Sequence, residues 1–109
     1  MVDPTSSDGS ISPQLAHIYK QEFVEGANLF QQSLAQYQNS TIPHQKEAFK
    51  EVMQKAMVIM NETARLCLSK EAQKKEAKLN QDFENFQNTQ SPQSLQNLSK
   101  SVESLKETL

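Results

Sequence analysis

Glycine is almost missing from this sequence: in 109 residues it occurs only as Gly9 and Gly26. Loops that cradle phosphate need clustered glycines, so nucleotide-binding enzymes of that kind are excluded. Histidine and cysteine are as scarce. His17, His44 and Cys67 lie far apart, with no paired cysteine, so no metal-ligand spacing exists. Cys67 cannot form an internal disulfide, and its place in an apolar stripe predicts an inert, reduced thiol of the cytoplasm; a disulfide-linked dimer is the sharper alternative. There is no Trp, aromatics make up 6% and hydrophobic residues 36%, which predicts a thin core that self-association would help. Nowhere do enough apolar residues run together to span a membrane. The start, MVDPTSSDGSIS, has neither a basic nor an apolar leader segment, so no signal peptide and a cytoplasmic location are expected. The glycosylation triplets at Asn39, Asn61 and Asn97 then have no secretory route to use. A net charge of −2 and a pI near 5.6 give no overall attraction to nucleic acid or anionic membrane. No catalytic residue, cofactor, metal or small-molecule substrate is indicated.

What is present is helical periodicity, densest in 48–68. Phe49, Val52, Ala56, Ile59, Thr63 and Leu66 alternate at steps of three and four, which holds them on one helix face. Met53, Met57, Met60, Ala64 and Cys67 or Leu68 form a second row beside it. Two adjacent stripes mean a helix covered from two directions, with the methionines as core fill rather than a flexible peptide groove. Residues 1–11 are small and polar and read as a disordered tail. Ser12-Pro13 is a helix start. Over 13–38 the apolar side carries Leu15, Ile18, Tyr19, Phe23, Ala27, Phe30, Leu34 and Tyr37. Gly26 weakens this helix by about 1 kcal/mol relative to Ala, and its expected purpose is close helix packing. Asn39-Ser40-Thr41 ends it, Ser40 or Thr41 caps the next helix, and Pro43 sits in the first turn. So short a connection makes the two helices antiparallel neighbours.

Between His44 and Ser91 there is neither Gly nor Pro. One straight stripe through Met57, Met60, Ala64, Leu68, Ala72, Leu79, Phe83 and Phe86 favours an unbroken helix over 43–88. A bend near Ser69, giving a third helix over 70–88, is the more compact alternative, because an unbroken helix would extend about 69 Å. A polar break at 87–90 and Ser91-Pro92 start the last helix. Its Leu95, Leu98, Val102, Leu105 and Leu109 form a narrow coiled-coil seam over 92–108, too short to stand alone. The seam docks either on the chain's own Leu79/Phe83/Phe86 face or on another subunit or partner. The fold class is therefore all-α: an antiparallel helical hairpin extended to a three- or four-helix bundle, one helical domain over 12–109.

Lys70, Lys74 and Lys78 share a helix face, with Lys75 beside it. Glu71 and Glu76 interrupt them, Glu71–Lys75 has the spacing of an i, i+4 ion pair, and no aromatic is near, so a solvated face is expected rather than a nucleic-acid site. Fourteen Gln and seven Asn add polar faces able to bond a partner. Ala16-His17-Ile18-Tyr19-Lys20, with Gly26-Ala27 following, resembles the histidine phosphotransfer domains. In those, an exposed His is followed three residues on by Lys and then by small residues. Gln21, Glu22 and Phe23 stand where that pattern has small residues, and Gly26 comes one position early. The resemblance implies His17 as phosphoacceptor; the residues alone make it a solvent-facing side chain. The leading expectation is a non-catalytic protein–protein interaction module: an assembly subunit, adaptor or chaperone-like helper, of which a bacterial secretion-apparatus component is one concrete version. Its expected partner-binding residues are Phe83, Phe86, Leu95, Leu98, Val102 and Leu105, and its expected partner is another protein or a second copy in a homodimer.

Overall fold

The computed structural model describes residues 12–109; the tail expected over 1–11 lies outside them. Four α-helices and no strand make up the described residues: α1 (Pro13–Asn39), α2 (Pro43–Cys67), α3 (Lys70–Thr89) and α4 (Pro92–Thr108). The protein is all-α, a bundle of two packed hairpins, α1 with α2 and α3 with α4.

Local chemistry places most helix ends. The side chains of Ser12 and Ser91 accept hydrogen bonds from the amides of Leu15 and Ser94, each with Pro at the first helical position, as the two Ser-Pro pairs predict. The start of α2 differs from expectation. Its cap is Ile42, which has no side-chain acceptor to offer, while Ser40 Oγ accepts from the Ile42 amide just outside the helix. Lys46 closes this turn from the other side: its Nζ donates to the Tyr37 carbonyl at 2.8 Å and lies 4.2 Å from the Tyr37 ring centre. A cation there meets the negative end of α1 and the ring face at once.

The unbroken 43–88 helix does not form. The chain leaves helical geometry at Leu68 and Ser69, with Ser69 Oγ accepting from the Ala72 amide to start α3. One capping serine thus does what a Gly or Pro usually does at a helix junction. The reason is burial. Folding back places Ala72, Leu79, Phe83 and Phe86 inside, whereas a straight helix would leave that stripe in water. Asn80 Nδ2 donates to Asn61 Oδ1 at 2.8 Å. On one straight helix these residues would stand about 28 Å apart, so the bond itself records the reversal.

The core runs along the bundle axis. Phe30 meets Phe83 edge-on with ring centres 5.3 Å apart, and Tyr37 meets Phe86 at 5.2 Å. Around them Phe23, Leu34, Met53, Met57, Met60, Leu79, Leu98, Val102 and Leu105 are buried. The methionine row is therefore core fill. The row beginning at Phe49 lies at its edge: Ala56 and Thr63 are buried, Phe49 and Val52 half-buried, and Ile59 and Leu66 exposed. Gly26 sits at the α1–α2 crossing. A Cβ there would come within 3.1 Å of Met60 Cγ, 3.2 Å of Ile59 Cγ2 and 3.4 Å of the Ala56 carbonyl, so glycine is what lets the two helices approach.

Candidate interaction surfaces

The six residues expected to meet a partner are turned inward. Phe83, Phe86, Leu98, Val102 and Leu105 are buried, and Leu95 packs half-buried against the same cluster. Of the two surfaces expected to cover the seam, the one seen is the chain's own: α3 folds back beside α2, which gives α4 the apolar face of Leu79, Phe83 and Phe86 to dock on. Seam periodicity alone does not say which surface covers a seam.

The apolar surface that remains exposed belongs mostly to α1 and α2. Ile18, Leu29, Ile59, Leu66 and Val58 keep between about a third and just over half of their area in contact with solvent. Ile18, Glu22, Glu25 and Leu29 follow one another at steps of four, three and four along α1; Ile59, Glu62 and Leu66 do so along α2. Their two faces meet in a groove lined by Glu22, Glu25, Gly26, Leu29, Ile59, Glu62 and Thr63. Leu29 and Ile59 are its large apolar side chains, and three carboxylates stand around them. Ile18 was expected in the core stripe of α1; at 47% exposure it belongs to this outer surface instead. Sequence reasoning missed the groove because Leu29 falls outside the main stripe of α1, and Ile59 and Leu66 were counted as covered.

A second concavity lies between α3 and α4, on the opposite hairpin. Lys74, Lys75, Lys78 and Lys100 line it together with Asp82, Asn97, Ser101 and Ser104. Glu71 does not pair with Lys75: Lys75 Nζ crosses to α4, where it donates to the Ser104 carbonyl at 3.3 Å and to Thr108 Oγ1 at 2.7 Å. Lys78 Nζ reaches both oxygens of Asp82 at 3.2–3.3 Å, and Ser101 Oγ donates to the same buried carboxylate. Of the lysine face expected to be merely solvated, Lys74, Lys75 and Lys78 are in this way gathered into one pocket with Lys100 from another helix, while Lys70 stays outside its lining. Only the antiparallel register of α3 and α4 brings Lys100 there, and no local pattern announces it.

Remaining groups with chemical potential are quiet. Cys67 Sγ donates to the Thr63 carbonyl of its own helix, and burial pushes its thiol above the ordinary value while Lys20 pulls weakly the other way. A thiol so held is the poor nucleophile that an apolar stripe predicts. Buried Glu76 accepts from Asn80 at 2.6 Å; desolvation raises its carboxyl above the usual range despite that bond. His17 is exposed in a shallow groove with Lys20, Gln21, Val24 and Glu25. Among the described residues no cluster of His, Cys, Asp and Glu could hold a metal ion, and no helix is long and apolar enough to cross a membrane. Comparison with protein-family models, with curated proteins and with solved structures finds no match.

Proposed function

We propose that the chain is a non-catalytic protein–protein interaction module, an assembly subunit, adaptor or chaperone-like helper, that receives a helix of a partner protein on the outer face of α1 and α2. The observation that carries this reading is the groove around Gly26, where exposed Leu29 and Ile59 stand among Glu22, Glu25 and Glu62. Apolar walls between two helices suit a third helix with anchors at i, i+3, i+4 and i+7. The carboxylates select one with Lys or Arg flanking those anchors, since opposite charge speeds encounter and fixes register. A reducing, cytoplasmic setting suits the single half-buried thiol of Cys67.

The test uses the full chain and a synthetic amphipathic helix with leucine anchors and lysine flanks, read by fluorescence anisotropy. Leu29→Glu with Ile59→Glu should abolish binding while the circular dichroism spectrum and melting temperature stay near wild type. An acid-flanked version of the same helix should bind poorly. Equal binding of both peptides, or binding unaffected by the two substitutions, would sink the proposal.

One further reading has an observation in its favour. His17 is exposed beside Lys20 on a helix of a small α-bundle, as the resemblance to histidine phosphotransfer domains requires. Incubation with a phosphorylated response regulator decides it: label on wild type that disappears in His17→Ala would replace the interaction reading, and no label would retire phosphotransfer.

A further inference from the structure

The α3–α4 pocket differs from the rest of the surface in the sign and density of its charge. The whole chain carries −2, yet four lysines and a single aspartate line this one concavity of about 470 Å³. Four ammonium groups around one groove repel one another, and among the described residues the amines of Lys74 and Lys100 make no hydrogen bond or ion pair that would relieve it. The other two are fixed. Lys78 is held by Asp82, whose carboxylate is itself oriented by Ser101 from the floor, and Lys75 is pinned to the last turn of α4. Two anchored cations and two uncommitted ones make a partly preorganised anion receptor. Asp82 neutralises one of the four charges, that of Lys78, and the other three lysines leave the lining net positive.

We propose that this pocket binds a small organic phosphate. All its cationic donors are lysine ammoniums, compact charges that suit phosphate oxygens, and no arginine fork is present to favour a planar carboxylate. The volume lies within the range of small-ligand sites, about 300–1,000 Å³, and leaves room beyond a phosphate group. The aliphatic stems of the lysines supply apolar wall for the organic part. Asn97 and Ser104 stand at the rim as neutral hydrogen-bonding groups. The site is separate from the α1–α2 groove, so occupancy of one does not depend on the reading of the other.

The experiment is a titration of the full chain with ADP and with inorganic pyrophosphate at constant ionic strength, by calorimetry and by backbone amide shifts. ADP should bind saturably at one site, shifting residues of α3 and α4 and leaving α1 unmoved. Lys74→Gln with Lys100→Gln should weaken it at least about tenfold, the loss expected when two charge-assisted contacts go. Both substitutions are at solvent-facing positions, and the melting temperature checks that the fold survives. Pyrophosphate should bind at the same amides but more weakly. Absence of saturable binding, equal affinity in the double variant, or shifts centred outside the pocket would each overturn the proposal. So would affinity that climbs with the length of a single-stranded oligonucleotide, which would assign the face to nucleic acid.

Discussion

The two hairpins of this bundle are joined in opposite ways. Between α1 and α2 the contact is steric: a glycine at the crossing, a methionine row, and helix faces close enough that one added methyl group would touch three neighbours. Between α3 and α4 it is partly polar. Asp82, Ser94 and Ser101 are buried there, and Lys75, Lys78 and Ser101 bond across or along the seam. The first arrangement leaves an acidic, apolar outer groove, the second a basic pocket. A chain with a thin core thus uses shape on one side and hydrogen bonding on the other, and each solution leaves a different kind of surface exposed.

The aromatic cross-link between the hairpins gives the largest expected effect. Phe30→Ala removes a fully buried ring and its edge contact with Phe83, and should cost about 3–5 kcal/mol in urea unfolding. If the hairpins were independent, α3 and α4 would keep their unfolding midpoint, whereas a shared core predicts one cooperative transition shifted as a whole. At the steric contact, Gly26→Leu should destabilise by about 1–3 kcal/mol through overpacking against Met60 and Ile59. Gly26→Ala should be far milder, because flexible side chains can yield and alanine favours the helix.

At the polar contact, Asp82→Ala leaves the buried Ser101 hydroxyl without its acceptor and frees Lys78. A loss of about 1–2 kcal/mol is expected by thermal unfolding, smaller than at Phe30 because Lys78 is mostly exposed and can turn to water. The smallest effect belongs to Glu76. Its carboxyl is raised in the folded state, so the protein takes up its proton more readily folded than unfolded. Stability linked to this group is complete below the ordinary carboxyl value of 4.5 and is lost as pH rises through the higher folded value. Glu76→Gln should therefore stabilise the protein at neutral pH, an advantage that vanishes as pH falls toward that value. A melting curve with the same pH slope in both proteins would count against it.

How much of this was legible in the sequence follows from which forces are local. Ser12-Pro13 and Ser91-Pro92 start helices because a serine and the next amides settle the matter among themselves. The burial of Phe23, Phe30 and Leu34 follows from spacing alone. Gly26 pointed to a close crossing, because a glycine in so regular a stripe more often permits helix packing than marks a hinge. The break at Ser69 was harder. Leu68-Ser69 holds no residue that forbids a helix, and only the tertiary burial of Leu79, Phe83 and Phe86 makes the reversal favourable. The same reversal hides the seam of α4 and turns Lys100 toward Lys74 and Lys78. One non-local event therefore moved the candidate surfaces from α4 to the α1–α2 groove and the lysine pocket. Neither could be read before the register of the hairpins was known.

That event can be measured directly. With Cys67 replaced by serine and spin labels at the exposed positions 51 and 88, electron–electron resonance reports the distance between α2 and α3 in the full chain. Folding back at Leu68-Ser69 predicts one narrow distribution at about two helix diameters, about 20–24 Å. A distribution centred near about 55 Å, the span of an unbroken helix between those labels, would contradict the account. The cis-covered seam would then be open, and the interaction surface would return to Leu95, Leu98, Val102 and Leu105.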